Sequence, residues 1–138
     1  MAADALKPGL KGEAELVVGE EHTALRVGSG RVRVFATPLM IALMETAAVA
    51  AVEDALAPGQ QSVGTHLDVR HLAATPVSMR VRATAELLKV DDRVLTFRIA
   101  AVDEKEPIGE GTHVRALVDA ERFDARVRAK LDQAGPSS

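Results

Sequence analysis

One acidic residue interrupts the longest apolar run of the sequence. Glu45 lies in the middle of LMIALMETAAVAAV, a stretch rich in Ala, Leu and Met. Burying an unpaired carboxylate costs several kcal/mol, so a chain tolerates an acid there only when it has a partner or a purpose. A carboxylate in such a place can act as a general base, whereas an exposed glutamate on a narrow polar stripe needs no function. Because the run contains few other polar residues, the sequence favours Glu45 as a reactive group.

Thr37 stands at the start of the same segment, eight residues before Glu45. On an α-helix this spacing places the two residues about 80° apart around the axis and two turns apart along it. A threonine at a helix start can cap the backbone, which stabilises the helix by about 1 kcal/mol. The unpaired amides of that helix end also favour developing negative charge, and a substrate could reach past both side chains. Capping and catalysis are therefore both open for Thr37.

His71 is the third candidate, in the segment SVGTHLDVRHLAATP. If this segment is extended, His71 shares a face with Leu67 and Val69, while His66 and its neighbours of even number take the opposite face. An inward histidine is either a satisfied core residue or an acid–base group. Gly64 lies seven residues earlier, and its unobstructed backbone amide suits the close approach of a ligand oxygen.

The segment TPLMIALMETAAVAAVEDAL predicts the one long helix that would carry Thr37 and Glu45. Thr is placed to cap it, Pro stands at its first position, and Pro58-Gly59 provides the stop signal. The helix is apolar on nearly all sides, so we expect other structure to surround it. Before it, residues 1–12 suggest a loosely held leader, and GEAELVV and HTALRV suggest two short strands.

From Ser62 to Ala120 apolar and polar residues alternate with a period of two, which predicts about four strands. Turns are expected at Asp91-Asp92 and at residues 104–107, followed by a short C-terminal helix over 120–131 and a frayed tail over 132–138. The predicted inward faces are Val81, Ala83, Ala85 and Leu87 on one strand and Leu95, Phe97, Ile99 and Ala101 on the next.

One long central helix wrapped by a curved antiparallel sheet is an α+β architecture, the hotdog fold. We expect residues 1–138 to form a single domain. An open sheet of this length leaves an edge strand and a face that a second copy can cover, so we also expect a homodimer or a higher oligomer.

Composition excludes several classes of function. The chain has no cysteine, which removes disulfides, thiolate catalysis and Cys-ligated metals, and its net charge of −3 offers no basic stripe for nucleic acid. It also lacks a G-x-S-x-G elbow, a Gly-rich phosphate loop followed by Lys, and metal-ligand spacing such as H-x-x-x-H. No signal-like segment or membrane span is predicted, so we expect a soluble, cytoplasmic protein with no membrane partner.

Three strings, VFATPLMIALMETAAVAAV, SVGTHLDVRHLAATP and IGEGTHVRAL, resemble the fluoroacetyl-CoA thioesterase family of hotdog enzymes. The resemblance runs from about residue 34 to 131. It implies a catalytic set of Thr37, Glu45 and His71, with Gly64 beside the thioester carbonyl and Phe35 of the F-A-T motif at the substrate. The fluoroacetyl-specific enzyme carries a Phe-bearing lid just ahead of F-A-T, whereas this stretch reads RVGSGRVRVFAT. The resemblance therefore implies hydrolysis of short acyl-CoA thioesters in general, with coenzyme A as part of the substrate and no further cofactor.

His113 and Arg115 share a face of the last strand. We interpret them as a solvated or dimer-facing stripe. The alternative is that Arg115, or some of the arginines at 80, 82 and 98, binds the phosphates of CoA, which makes Arg115 a substrate-binding candidate. Two other functions of the same fold stay open: a non-catalytic acyl-CoA-binding or sensing module, and a hydratase acting on enoyl thioesters.

Overall fold

The computed structural model describes residues 5–134, which form one antiparallel sheet, one long helix and a C-terminal helix. The strands are β1 (Lys11–Val17), β2 (Gln60–His71), β3 (Arg80–Asp91), β4 (Val94–Asp103) and β5 (Pro107–Asp119). Their order across the sheet is β1-β3-β4-β5-β2. Every neighbouring pair is antiparallel, so β3, β4 and β5 form a meander while β1 and β2 lie at the two edges.

The helices are α1 (Ala24–Val27), α2 (Thr37–Val52) and α3 (Ala120–Ala134). Helix α2 packs across β1, β3 and β4, as expected for a segment that is apolar on almost all sides. A 3-10 turn, Glu53–Ala55, follows α2, and Pro58 lies three residues after this turn. The predicted α+β architecture with one central helix is confirmed.

The alternation in β3 and β4 places the core as predicted. Side chains of both predicted inward faces are at most 2% exposed, and they pack against Met40 and Met44 of α2. The turn between the two strands carries Asp92 in the left-handed region, with φ of 56°. Aspartate tolerates this conformation better than most side chains do. Period-two patterning therefore fixed which face of these strands meets the helix.

β1 crosses α2 at Gly12, where the two backbones come very close. A Cβ added to Gly12 would lie 2.3 Å from the Ala47 carbonyl oxygen and 2.4 Å from the Ala51 amide nitrogen. Backbone atoms cannot swing aside, so we expect Gly12→Ala to lower the free energy of unfolding by about 1–3 kcal/mol or more. Urea denaturation measures this loss. Gly30→Ala is the control because its added Cβ would meet only Ala24 Cβ at 3.4 Å; an equal loss in both variants would contradict the account.

The segment HTALRV is not a strand, and this prediction was wrong. It forms a 3-10 turn, Glu20–His22, followed by α1. The Thr23 hydroxyl oxygen accepts a hydrogen bond from the Arg26 amide, and Gly28 ends the turn with φ of 94°. A local cap and a left-handed glycine thus outweigh the β propensity of Thr and Val.

The predicted leader and tail are both too long. β1 begins at Lys11, and Leu6 and Leu10 pack against the core. The Gly9 amide also donates to the Leu87 carbonyl at 2.8 Å. At the other end α3 continues to Ala134; residues 1–4 and 135–138 lie outside the described part of the chain. Within residues 5–134, the helices are too short or too polar to cross a bilayer.

Candidate functional site

The N-terminus of α2 holds the first pair of candidate residues. Ala36 takes the N-cap position and makes no side-chain cap, so the prediction that Thr37 caps the helix is wrong. Thr37 is instead the first helical residue, and its hydroxyl oxygen lies 2.7 Å from His71 Nδ1 at the end of β2. The proline that follows fits this position because it has no amide hydrogen to satisfy. The helix start therefore presents Thr37 to His71.

His71 is half-buried, and its second ring nitrogen points into the protein. Nε2 is buried and has no hydrogen-bond partner among the described residues. Burial lowers the pKa of His71, and the backbone of Ala73 offsets part of that effect. The ring is therefore held toward its neutral form, in which one nitrogen donates and the other accepts. A neutral imidazole that contacts a hydroxyl through Nδ1, and whose Nε2 has no partner in the described residues, can take part in proton transfer.

Glu45 forms the second cluster, two turns further along α2. Its side chain is 36% exposed, and Oε2 lies 3.4 Å from Arg115 Nη1 of β5. Gly64 of β2 faces the same oxygen, since a Cβ added there would lie 2.6 Å from Oε2. The carboxylate is thus neither free in solvent nor buried without a partner. It is a paired acid beside a glycine that leaves room for it.

Arg115 and His113 are buried, so the interpretation of these residues as a solvated or dimer-facing stripe is wrong. Arg115 is 6% exposed and His113 is fully covered. In the β4–β5 register they stand opposite Leu95 and Phe97, which belong to the inward face of β4. Their side chains therefore point to α2. This register explains why a polar pair of β5 reaches Glu45.

The arginines at 80 and 98 pair with acidic side chains instead. Arg80 contacts Glu15, and Arg98 lies 3.9 Å from Glu86. All four of these residues have side chains at least 37% exposed. Each arginine is adjacent in sequence to inward-facing residues of its strand, so its side chain lies on the outer face of the sheet. Neither arginine is therefore part of the Glu45 cluster.

A cleft of about 420 Å³ opens beside the Thr37–His71 pair. Phe35 lines it, although only 1% of Phe35 is exposed, and its amide donates to the Thr75 carbonyl at 2.8 Å. The outer wall is the loop after α1, which contributes Ser29, Gly30, Val32 and Val34. These loop side chains are small or aliphatic, as the sequence indicated.

The two clusters are distinct in the structure. Glu45 lies eight positions after Thr37 on the helix, which corresponds to about 12 Å along the axis. The contacts of Glu45 go to Arg115 and Gly64, while Thr37 contacts His71. Thr37 and Glu45 both lie on α2, so a bound molecule that touches both clusters must lie along the helix. Among the described residues, no group of three or more His, Asp or Glu side chains is arranged to hold a metal ion.

Gly64 is expected to matter for activity more than for stability. The Cβ of Gly64→Ala would displace Glu45 Oε2, which is the far end of a flexible side chain, and would lie 3.2 Å from His113 Cε1. Misplacing a reacting group by about 1 Å can cost on the order of 10²-fold in rate. We therefore expect Gly64→Ala to lower kcat by about 10–10²-fold with a nearly unchanged melting temperature. A variant with normal kcat would contradict the placement of Glu45.

Comparison with known proteins identifies the family. The family model described as fluoroacetyl-CoA-specific thioesterase matches residues 18–121. The fluoroacetyl-CoA thioesterase of Streptantibioticus cattleyicolor is 48% identical over 97 residues, which cover 70% of each chain. A structure of a mutant of the thioesterase FlK in complex with acetyl-CoA is 38% identical, with a TM-score of 0.86 over 91% of this chain and 98% of that one. A Thermus thermophilus member of the thioesterase superfamily is 27% identical, with a TM-score of 0.86 over 96% and 98% of the two chains. The chain therefore has the hotdog fold and belongs to the fluoroacetyl-CoA-specific thioesterase family.

Proposed function

We propose that this protein hydrolyses short-chain acyl-CoA thioesters to the free acid and CoA, with Glu45 as the group that acts at the thioester carbonyl. One observation carries the proposal: an acid in the central helix is held by a buried arginine beside a glycine that leaves space at its carboxylate. Arg115 Nη1 lies 3.4 Å from Glu45 Oε2 and so holds the carboxylate in place beside the open space at Gly64. The acetyl-CoA complex of the relative FlK supports the choice of substrate class.

In the proposed reaction water adds to the carbonyl carbon, the C–S bond breaks, and the thiolate of CoA takes up a proton. Glu45 removes the proton from the attacking water. It could instead attack the carbonyl itself and form a mixed anhydride that water then opens. Positioned acid–base help contributes about 10²–10⁴-fold. Rapid-quench trapping of an acyl-enzyme distinguishes the two routes.

Thr37 and His71 serve the same substrate at the start of the helix. If the Thr37 hydroxyl donates to His71 Nδ1, the neutral ring carries its hydrogen on Nε2, which can then donate. If the hydroxyl accepts from Nδ1–H, Nε2 is the acceptor. Either form can move a proton near the thioester. The amides of the α2 N-terminus favour negative charge on a group that lies beside Thr37 and His71. In this proposal Phe35 provides the apolar wall of the cleft.

Arg115 acts at the acyl end and not at the CoA phosphates. Its guanidinium is buried and directed at Glu45, whereas phosphates are large, hydrated anions that need an open surface. The loop over the cleft contains Ser29, Gly30 and Val32 but no aromatic side chain. Because this loop lacks the Phe-bearing lid of the fluoroacetyl-specific enzyme, we infer that the substrates are short acyl groups in general. The proposed reaction needs only water and the acyl-CoA, of which coenzyme A is a part, and no further cofactor.

We expect the chain to form a homodimer through β2. This strand is 12 residues long and lies at the sheet edge, where its outer backbone groups have no partner strand in the described residues. An edge of this length is a template for pairing, and a second copy would extend the sheet. Sedimentation equilibrium should therefore give twice the chain mass. A monomer at micromolar concentration would contradict this expectation.

The absence of cysteine fits the reducing cytoplasm, where we place the protein.

A thiol-release assay with acetyl-, butyryl- and longer acyl-CoAs tests the proposed function. We expect turnover that is highest for the short chains. A non-catalytic binding module would bind acyl-CoA tightly without releasing thiol. A hydratase would hydrate crotonyl-CoA and release no thiol. Each of these two results would overturn the proposal.

A further inference from the structure

His113 is a fully buried histidine next to the Glu45–Arg115 pair. Its side chain has no exposed surface, and its ring lies 6.1 Å from that of Phe97. Nε2 lies 3.1 Å from Arg115 Nη1 and 3.8 Å from Glu45 Oε2. Burial of a polar ring at this depth requires that both nitrogens find partners. The partners of His113 therefore define what it does.

The hydrogen bonds of His113 assign its tautomer. Nδ1 lies 2.8 Å from the carbonyl oxygen of His66, and a carbonyl can only accept, so Nδ1 carries the hydrogen. Arg115 Nη1 can only donate, so Nε2 must offer its lone pair to that group. A hydrogen on Nε2 would point at the N–H of the Arg115 guanidinium, so two donors would face each other. If the ring were protonated on both nitrogens, two positive charges would also be in contact. Only the neutral ring satisfies both contacts.

Arg115 is held on several sides while one of its groups faces the acid. Nε donates to Ser62 Oγ at 2.8 Å, and Nη2 donates to the Ser62 carbonyl at 3.0 Å. Nη1 is shared between His113 Nε2 and Glu45 Oε2. Ser62 thus fixes one edge of the guanidinium plane, and His113 fixes the direction of Nη1.

We propose that His113 is a positioning residue, whose neutral ring accepts the Arg115 hydrogen bond and so keeps the guanidinium aimed at the Glu45 carboxylate. The anchor is the His66 carbonyl, at the register shift where β2 pairs irregularly with β5 between Gly64 and His66. The His66 carbonyl oxygen lies 2.8 Å from His113 Nδ1 at this position. This inference rests on the proposed function, because Glu45 is the group whose position matters.

The charged and titratable groups that face His113 support a neutral ring. Arg115 stands on the same strand, Glu45 on α2, and His66 on β2, while Phe97 of β4 is apolar. Burial lowers the pKa of His113, and the bond to the His66 backbone and the Glu45 charge oppose the effect only in part. The ring therefore stays neutral at physiological pH, as its tautomer requires.

Two matched variants separate positioning from packing. His113→Asn keeps a donor for the His66 carbonyl and loses the acceptor for Arg115, whereas His113→Gln can place an oxygen near the position of Nε2. We expect His113→Asn to lower kcat by about 10²-fold with KM unchanged, and His113→Gln to recover most of the loss. In an Arg115→Met background, His113→Asn should cause no further loss, because the two residues act as a unit. Equal kcat in the two variants, or additive losses, would overturn the proposal.

Nuclear magnetic resonance tests the same inference without turnover. We expect ¹⁵N shifts of wild-type His113 to show a neutral ring protonated at Nδ1 at pH 7. The Arg115 Nε–H signal should shift in His113→Asn and stay in place in His113→Gln. An Nε2–H tautomer, a charged ring, or an unchanged Arg115 signal in His113→Asn would overturn the proposal. If the wild type shows the expected signals yet releases no thiol, the proposed function fails and the positioning contact stands.

Discussion

Glu45→Gln is expected to lower kcat for acyl-CoA hydrolysis by about 10²–10⁴-fold while the protein stays folded. Glutamine has the same shape, and its carbonyl oxygen can still accept from Arg115 Nη1, now 3.4 Å from Glu45 Oε2. It can neither take a proton from water nor form an anhydride. The loss should therefore appear in kcat and not in KM, because the interaction it removes acts on the reacting carbonyl. Initial rates of thiol release at saturating acetyl-CoA measure it.

Glu53→Gln is the matched control for this variant. Glu53 follows α2, is exposed, and loses the same single negative charge when changed to Gln. We expect its kcat to equal that of the wild type within about twofold, since exposed charges act weakly at a distance through water and salt. If Glu45→Gln also kept nearly full activity, the carboxylate would have no part in the chemistry.

His71→Ala should produce the second large loss, again about 10²–10⁴-fold in kcat. The substitution removes the partner of the Thr37 hydroxyl, 2.7 Å away, together with the unpartnered Nε2. His66→Ala is the control, because His66 lies on the same strand with an exposed side chain and contributes to the site through its backbone carbonyl. Normal activity in His71→Ala would remove this residue from the reaction.

The pH profile reports on the same histidine. Burial lowers the pKa of His71, so its ring becomes protonated only below the usual value of about 6.5. If the neutral ring is required, the acidic fall in kcat of the wild type should lie below pH 6.5, and the part of it that belongs to His71 should be absent from the residual activity of His71→Ala. Thr37→Ser, which keeps the hydroxyl, should retain this fall and most of the rate. A fall centred above pH 7 in the wild type would contradict the assignment.

Helix α2 and the faces of β3 and β4 could be predicted from the sequence because their patterns are strong and local. Pro38 and Pro58 bracket one apolar helix, and strict alternation gives one inward side to each strand. Burial follows directly from these periods. Glu45 stood out by the same logic, since a single acid broke an apolar run.

The environment of Glu45 could not be predicted, since it depends on pairing between distant segments. In the sheet, β2 pairs with β5, although the two strands are far apart in the sequence. This pairing sets Gly64 opposite Arg115, and both contact the Glu45 carboxylate. The inward direction of His113 was not predicted, although a signal for it existed. In the β4–β5 pairing, His113 stands opposite Phe97, an inward residue of β4. Residues opposite each other point to the same face, so this register predicts that both polar residues of β5 point inward.

Local competition explains the remaining errors. Thr37 was expected to cap α2, but Ala36 takes the cap position and the threonine hydroxyl turns to His71. Thr23 does act as a cap, of α1, in a segment whose β-branched residues suggested a strand. In each case the threonine hydroxyl has a hydrogen-bond partner that the sequence pattern did not predict.

A single-turnover experiment shows whether this protein breaks the thioester of a bound acyl-CoA. Excess wild-type protein is mixed with acetyl-CoA, quenched at intervals, and analysed by mass spectrometry for acetyl-CoA, CoA and acetate. We predict conversion of the bound acetyl-CoA to equal amounts of CoA and acetate, with little conversion by Glu45→Gln over the same time. Recovery of intact acetyl-CoA from the wild-type complex would contradict the proposed function.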